Sequence, residues 1–145
     1  MAEATKINEQ LSVTGQISLA DIAGFAKAGF ATIINQRPDN EEPGQIDHLA
    51  AAAEAEKQGI EYRYQPIVTS AITRHEVSEF QNMLLRDGKP ILAHCRSGTR
   101  CYLMYALTRT LFDGESPLRL VGEAAAKGYD IRALPMLVEK LQAEK

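Results

Sequence analysis

Cysteine is scarce: two among 145 residues, too few for the disulfide framework of a small secreted domain. No apolar run approaches the roughly 20 residues needed to span a bilayer, and the opening MAEATKINEQ lacks the charged-then-apolar layout of an export signal. These absences predict free thiols, a cytoplasmic setting and no membrane partner. Basic charge is not in excess either. With 16 Lys and Arg against 19 Asp and Glu, the net charge is -3, which offers no positive field for nucleic acid. Three histidines occur; His48 and His75 fall in helical contexts without partner spacing, so neither a metal nor another cofactor is expected. Repeats and low-complexity tracts are missing. What is present, 45% hydrophobic and 24% charged residues, is ordinary for a globular protein, and the length suits one domain over residues 1–145.

Hydrophobic periodicity divides that domain into alternating strands and helices. Leu11–Gly15 alternates and turns, predicting a first strand. Ser18 and Asp21 have capping-box spacing for a helix running to about Lys27 and stopping near Gly29. Ala31–Asn35 reads as a buried strand emptying into the loop Gln36-Arg37-Pro38-Asp39-Asn40. Gln45–Gln58 predicts a helix with a left-handed stop at Gly59, and Ile60–Val68 a further strand. Thr73 and Glu76 form a second capping box, and Val77, Phe80 and Leu84 give the following helix an apolar stripe. Pro90–His94 is a core strand. Arg100–Phe112, apolar almost all round, predicts a central buried helix. Ser116-Pro117 opens another, and Ile131–Gln142 supplies the last. Met83, Met104 and Met136 read as core. The pattern predicts an α/β fold, a mostly parallel central sheet flanked by helices.

Both cysteines lie in one short stretch, ILAHCRSGTRCYLMYAL. An apolar strand ends at His94-Cys95, a polar loop with one glycine follows, and a buried helix begins. That order builds an anion site: the amides of Arg96, Ser97, Gly98 and Thr99 can point inward, and the helix start adds positive potential. Gly98 lets the backbone turn where a Cβ would clash. Arg100 offers a planar fork to an oxyanion. A thiol at the mouth of such a nest is ionised more readily than a free cysteine with a pKa near ~8.5, which makes Cys95 a candidate nucleophile; its alternative is an inert thiol at a strand end.

The order of elements resembles the dual-specificity phosphatase fold. More narrowly, LSVTGQIS, TIINQRPDNEE and ILAHCRSGTRC resemble the phosphatase-like domain of β-lactamase hydrolase-like proteins. That likeness implies an active site of Cys95, the backbone of residues 96 to 99 and Arg100. Locally, CRSGTR also resembles the active loop of rhodanese-type sulfurtransferases. Loop length separates the two chemistries. Cysteine phosphatases carry His-Cys, five residues and then the arginine, which here would fall at Cys101; Arg100 comes one residue early, as in rhodanese loops. Phosphatases of this kind also use a general acid, usually an aspartate upstream, where IEYRYQPIVTSAI holds only Glu61. Both departures favour sulfane-sulfur transfer through a Cys95 persulfide, from a small anionic donor to an acceptor thiol. The alternatives are phosphomonoester hydrolysis through a phosphocysteine, and a non-catalytic module that binds an anion or a partner.

Several residues carry two readings. Asp39 is either a general acid reaching in from another strand end or a turn residue bonding nearby backbone. His94 either tunes the loop or is a buried imidazole. Cys101 is a resolving thiol or helix packing. Arg96 is expected to reach solvent, where an anionic donor could meet it. Arg37 is a second anion contact or a solvated surface side chain.

Overall fold

The computed structural model describes residues 2–144. Five strands form one sheet: β1 (Thr5–Lys6), β2 (Leu11–Thr14), β3 (Thr32–Asn35), β4 (Glu61–Tyr64) and β5 (Ile91–His94), in the order β1-β2-β5-β3-β4. Only the β1–β2 pair is antiparallel; β5 lies parallel to both β2 and β3, and β3 to β4. The sheet is therefore mixed and mostly parallel. β1, two residues long, is too short to produce a hydrophobic period and is not visible in the sequence pattern.

Helices cover both faces, as parallel strands require. They are α1 (Leu19–Lys27), α2 (His48–Gln58), α3 (Arg74–Arg86), α4 (Thr99–Asp113), α5 (Pro117–Ala126) and α6 (Leu134–Gln142). Successive strand side chains point to opposite faces, and the core divides accordingly. Ile33 and Leu92 pack with Ile22 and Phe25 of α1 and Ala51 and Ala55 of α2. Ile34, Ile91 and Ala93 pack on the other side with Phe80, Met104, Leu107 and Leu134.

Both capping boxes form, Ser18 with Asp21 and Thr73 with Glu76. Ser116 accepts from the Arg119 amide at the start of α5, with Pro117 in the first turn. Three boundaries differ from expectation. α2 begins at His48, not Gln45, because Asp47 takes the N-cap and accepts from the Ala50 amide. β4 stops at Tyr64, and Thr69–Ala71 is a turn of 3₁₀ helix. Its neighbour β3 ends at Asn35, in register with Tyr64. α6 begins at Leu134, not Ile131. Met136 is also not core: it is 70% exposed, whereas Met104 is fully buried.

The central position of β5 fixes the site. His94 is in register with Thr14 on one side and Asn35 on the other, so Cys95 emerges at the carboxyl edge between two parallel neighbours. Loops beyond the carboxyl ends of parallel strands are where open α/β sheets place their ligands.

Candidate active site

Helix α4 starts without a side-chain cap. Its N-cap is Gly98, which lies in the left-handed region at φ 92° and has no side chain to cap the first turn; the Thr99 N–H donates to Ser97 Oγ at 3.4 Å. The uncapped amides turn to sulfur instead. Gly98 N–H donates to Cys95 Sγ at 3.1 Å, and the nearby backbone N–H groups of Ser97 and Cys101 add to the potential that favours the thiolate. These donors would otherwise be orphans of the helix end, and they lie where the macrodipole is positive.

Cys95 is only 1% exposed. An apolar burial of that degree would disfavour the anion, yet its pKa is lowered to about 5. The largest contribution is a hydrogen bond from the Cys101 thiol; burial opposes it, and the amides of Cys101, Ser97 and Gly98 add to it. Cys101 shifts the other way, because burial and the adjacent Cys95 disfavour a second thiolate. It lies fully buried on α4 and remains a proton donor to its neighbour. Both cysteines are free. His94 is also buried, and burial draws its pKa down to about 4, with the Arg37 charge acting in the same direction. The imidazole is therefore neutral at pH 7, and the thiolate owes its stability to backbone and thiol donors.

A pH prediction follows from the sign of this shift. Above a pKa of about 5 the Cys95 thiol is ionised, so alkylation by iodoacetamide should reach its plateau by about pH 6 to 7. An unactivated thiol would still be accelerating near pH ~8.5. Mass-resolved alkylation of Cys95 across this range checks it.

Arg100 lies in the first turn of α4, with its guanidinium held by protein acceptors. Nη1 donates to the Ile67 carbonyl at 2.8 Å and to Glu41 Oε2 at 3.0 Å, with the Gln36 carbonyl at 3.4 Å. Nη2 donates to Glu41 Oε1 at 3.1 Å. Glu41 thus grips the fork end-on. The Nε–H and the second Nη2–H, which share its side edge, hold no acceptor among the described residues.

Arg37 lies elsewhere than either expectation placed it. It is fully buried, the largest such side chain described, and it holds Glu41 at 2.9 Å, Glu42 at 3.0 Å and Gln16 at 3.1 Å. Arg96 does reach solvent, its side chain 69% exposed and 3.9 Å from Glu42. The Ser97 hydroxyl lies 3.2 Å from that of Thr99. Asp39 bonds His48 through both oxygens, Oδ1 to the backbone amide at 2.9 Å and Oδ2 to Nδ1 at 2.5 Å. His48 therefore has a partner that its helical context did not reveal, and its ring also stacks on Tyr64 at 3.9 Å. Among the described residues, neither Asp39 oxygen bonds the Cys95 loop. No group of three His, Cys, Asp or Glu side chains there could hold a metal ion, and no helix is long and apolar enough to cross a membrane.

Glu41 and Glu42 are the site residues that sequence reasoning missed. Their only signal is a pair of carboxylates four and five residues after Arg37, in the same loop.

Gly98 has a second constraint besides its φ. A Cβ there would sit 3.0 Å from the Tyr129 ring and 3.3 Å from the Thr14 carbonyl carbon. Gly98→Ala should therefore destabilise the fold by about 1–3 kcal/mol and raise the alkylation midpoint of Cys95. Thermal unfolding and the alkylation profile measure the two effects.

A thiolate on a ring of amides, ahead of a buried helix that carries an arginine in its first turn, is the arrangement of the cysteine-phosphatase class. The family model for the β-lactamase hydrolase-like protein, phosphatase-like domain, matches residues 4–112, and the chain belongs to that family. A β-lactamase hydrolase-like protein of Xylella fastidiosa is 37% identical over 125 residues, covering 86% of this chain and 29% of the relative; this chain thus spans about a third of the curated proteins it matches. Among solved structures, a provisionally assigned phosphatase from Neisseria meningitidis Z2491 aligns with a TM-score of 0.83 at 30% identity, covering 94% of this chain and 96% of that one. TpbA of P. aeruginosa, solved in complex with pTyr, shares the fold at 16% identity with a TM-score of 0.64, covering 95% of each chain. Sulfur transfer, the chemistry favoured by the short loop and the missing upstream aspartate, finds no support in these likenesses.

Proposed function

We propose that this domain hydrolyses phosphate monoesters through a phosphocysteine on Cys95. The observation that carries the reading is the donor set converging on one sulfur: the thiolate accepts from Gly98 N–H at 3.1 Å, while the neighbouring Arg100 keeps a two-donor edge unoccupied. In this mechanism Cys95 Sγ attacks phosphorus as the ester P–O bond breaks and the leaving oxygen departs with the bonding pair. The loop amides and the side edge of Arg100 hold the non-bridging oxygens, where charge is concentrated in the transition state. Water then cleaves the S–P bond, and Cys101 donates to the returning thiolate. Family membership and the pTyr complex of a fold relative support a phosphate ester over a sulfane donor as the small anionic substrate.

Turnover of an aryl phosphate, inhibited by vanadate, tests the reading. Equal rates for wild type and a buffer blank would remove it. Intact mass after thiosulfate treatment, run alongside, would show one added sulfur if the loop carries persulfide instead. The general acid is a separate question, for which Asp39 is the proposed residue. Asp39→Asn should slow alkyl phosphates more than aryl phosphates, since a poor leaving group needs the proton more. An equal effect on both substrates would take Asp39 out of that role.

A further inference from the structure

We infer that Glu41 is a positioning residue for Arg100, turning the guanidinium so that its Nε–Nη2 edge faces the bound oxyanion; this rests on the anion-binding reading of the Cys95 loop. The carboxylate takes the Nη1–Nη2 end of the fork at 3.0 and 3.1 Å. The Ile67 carbonyl takes an Nη1 hydrogen at 2.8 Å. With that end occupied, the donors left without an acceptor among the described residues are the parallel pair on the side edge, which match two oxygens of a tetrahedral anion.

Glu41 is itself held from behind. Oε1 also accepts from Arg37 Nε at 2.9 Å, and Arg37 is anchored by Gln16, by Glu42 and by the Asn35 side chain on its backbone N–H. The carboxylate therefore stands between a buried arginine held by several partners and a partly exposed one that must be aimed. Hydrogen bonds from Arg100, then from Arg37, hold it below the usual carboxylate range, so it stays charged throughout the working pH. The buried Arg37 acts on the anion at one remove, through Glu41.

The opposite role is also chemically coherent: a carboxylate on Arg100 could occupy the arginine and compete with substrate. The two roles predict opposite signs. The test uses inorganic phosphate to protect Cys95 from iodoacetamide in the full chain, reading the concentration that halves the alkylation rate. Glu41→Gln should raise it about tenfold, the scale of one lost charge-assisted contact, with each protein's protection read relative to its own rate without phosphate. Glu41→Asp, which keeps the charge, should recover part of the loss and guards against misfolding of the neutral variant. In an Arg100→Lys background, Glu41→Gln should have no further effect beyond about twofold, because its action runs through the arginine. Half-protection in Glu41→Gln at or below the wild-type concentration would overturn the inference, and a lower value would assign Glu41 as a competitor. If phosphate fails to protect even the wild type, the anion-binding reading falls first and takes the inference with it.

Discussion

Cys95→Ser should lower aryl phosphate turnover by at least about 10⁴-fold, on the scale of removing a covalent nucleophile from an enzyme whose residual catalysis comes from binding alone. The reason is ionisation as much as atom type. The site brings the thiol to a pKa of about 5 through Cys101, Ser97 and Gly98; a serine hydroxyl in the same place remains protonated, and His94, drawn down to about 4 by burial, is not placed as its base. Loss of activity with the fold intact is expected, because serine is smaller and can accept the same amide hydrogen bonds. A variant retaining a tenth of the wild-type rate would mean that another group performs the displacement.

Arg100→Lys should cost about 10²–10³-fold in kcat/KM, the loss typical of removing a donor aimed at developing charge. Lysine preserves the charge but not the fork. It cannot satisfy Glu41 and Ile67 while also offering two parallel donors to a phosphoryl group, which Arg100 does by splitting its edges. The loss should appear in both kcat and KM, since in the proposed mechanism the edge would grip the ground-state ester as well as the transition state. A change confined to KM would reduce Arg100 to a docking contact.

Much of the fold was legible because its signals are local. The Ser18 and Thr73 capping boxes form as spaced, and α4, apolar almost all round, is the buried central helix. Errors fell where a distant partner decides. Whether Tyr64 continues a strand depends on where β3 ends, which local alternation cannot report. Met136 has the composition of a core residue but faces solvent on a terminal helix. Arg37 was expected at the surface or on an anion because an arginine in a polar loop usually is solvated; Glu41, Glu42 and Gln16 surround it, and only the folded loop brings them there.

The site divides in the same way. Cys95, Gly98 and Arg100 follow from a strand, a turn and a helix start in sequence order, so their placement around one loop was readable. Loop length pointed towards sulfur transfer because counting residues treats the loop as an isolated ring. In the folded chain, Cys101 also favours the Cys95 thiolate, so the groups that lower its pKa continue past the arginine and into the helix. Glu41, far from Arg100 in sequence, completes the set through two bonds that no spacing rule encodes.

The most direct test is to trap the intermediate. Wild-type protein mixed with an aryl phosphate and quenched within a turnover should gain one phosphoryl group by intact mass, mapped to Cys95 by peptide analysis and absent in Cys95→Ser. Finding no phosphoryl adduct on Cys95 during steady turnover, or finding a stable persulfide there after thiosulfate while aryl phosphates go unhydrolysed, would contradict the account.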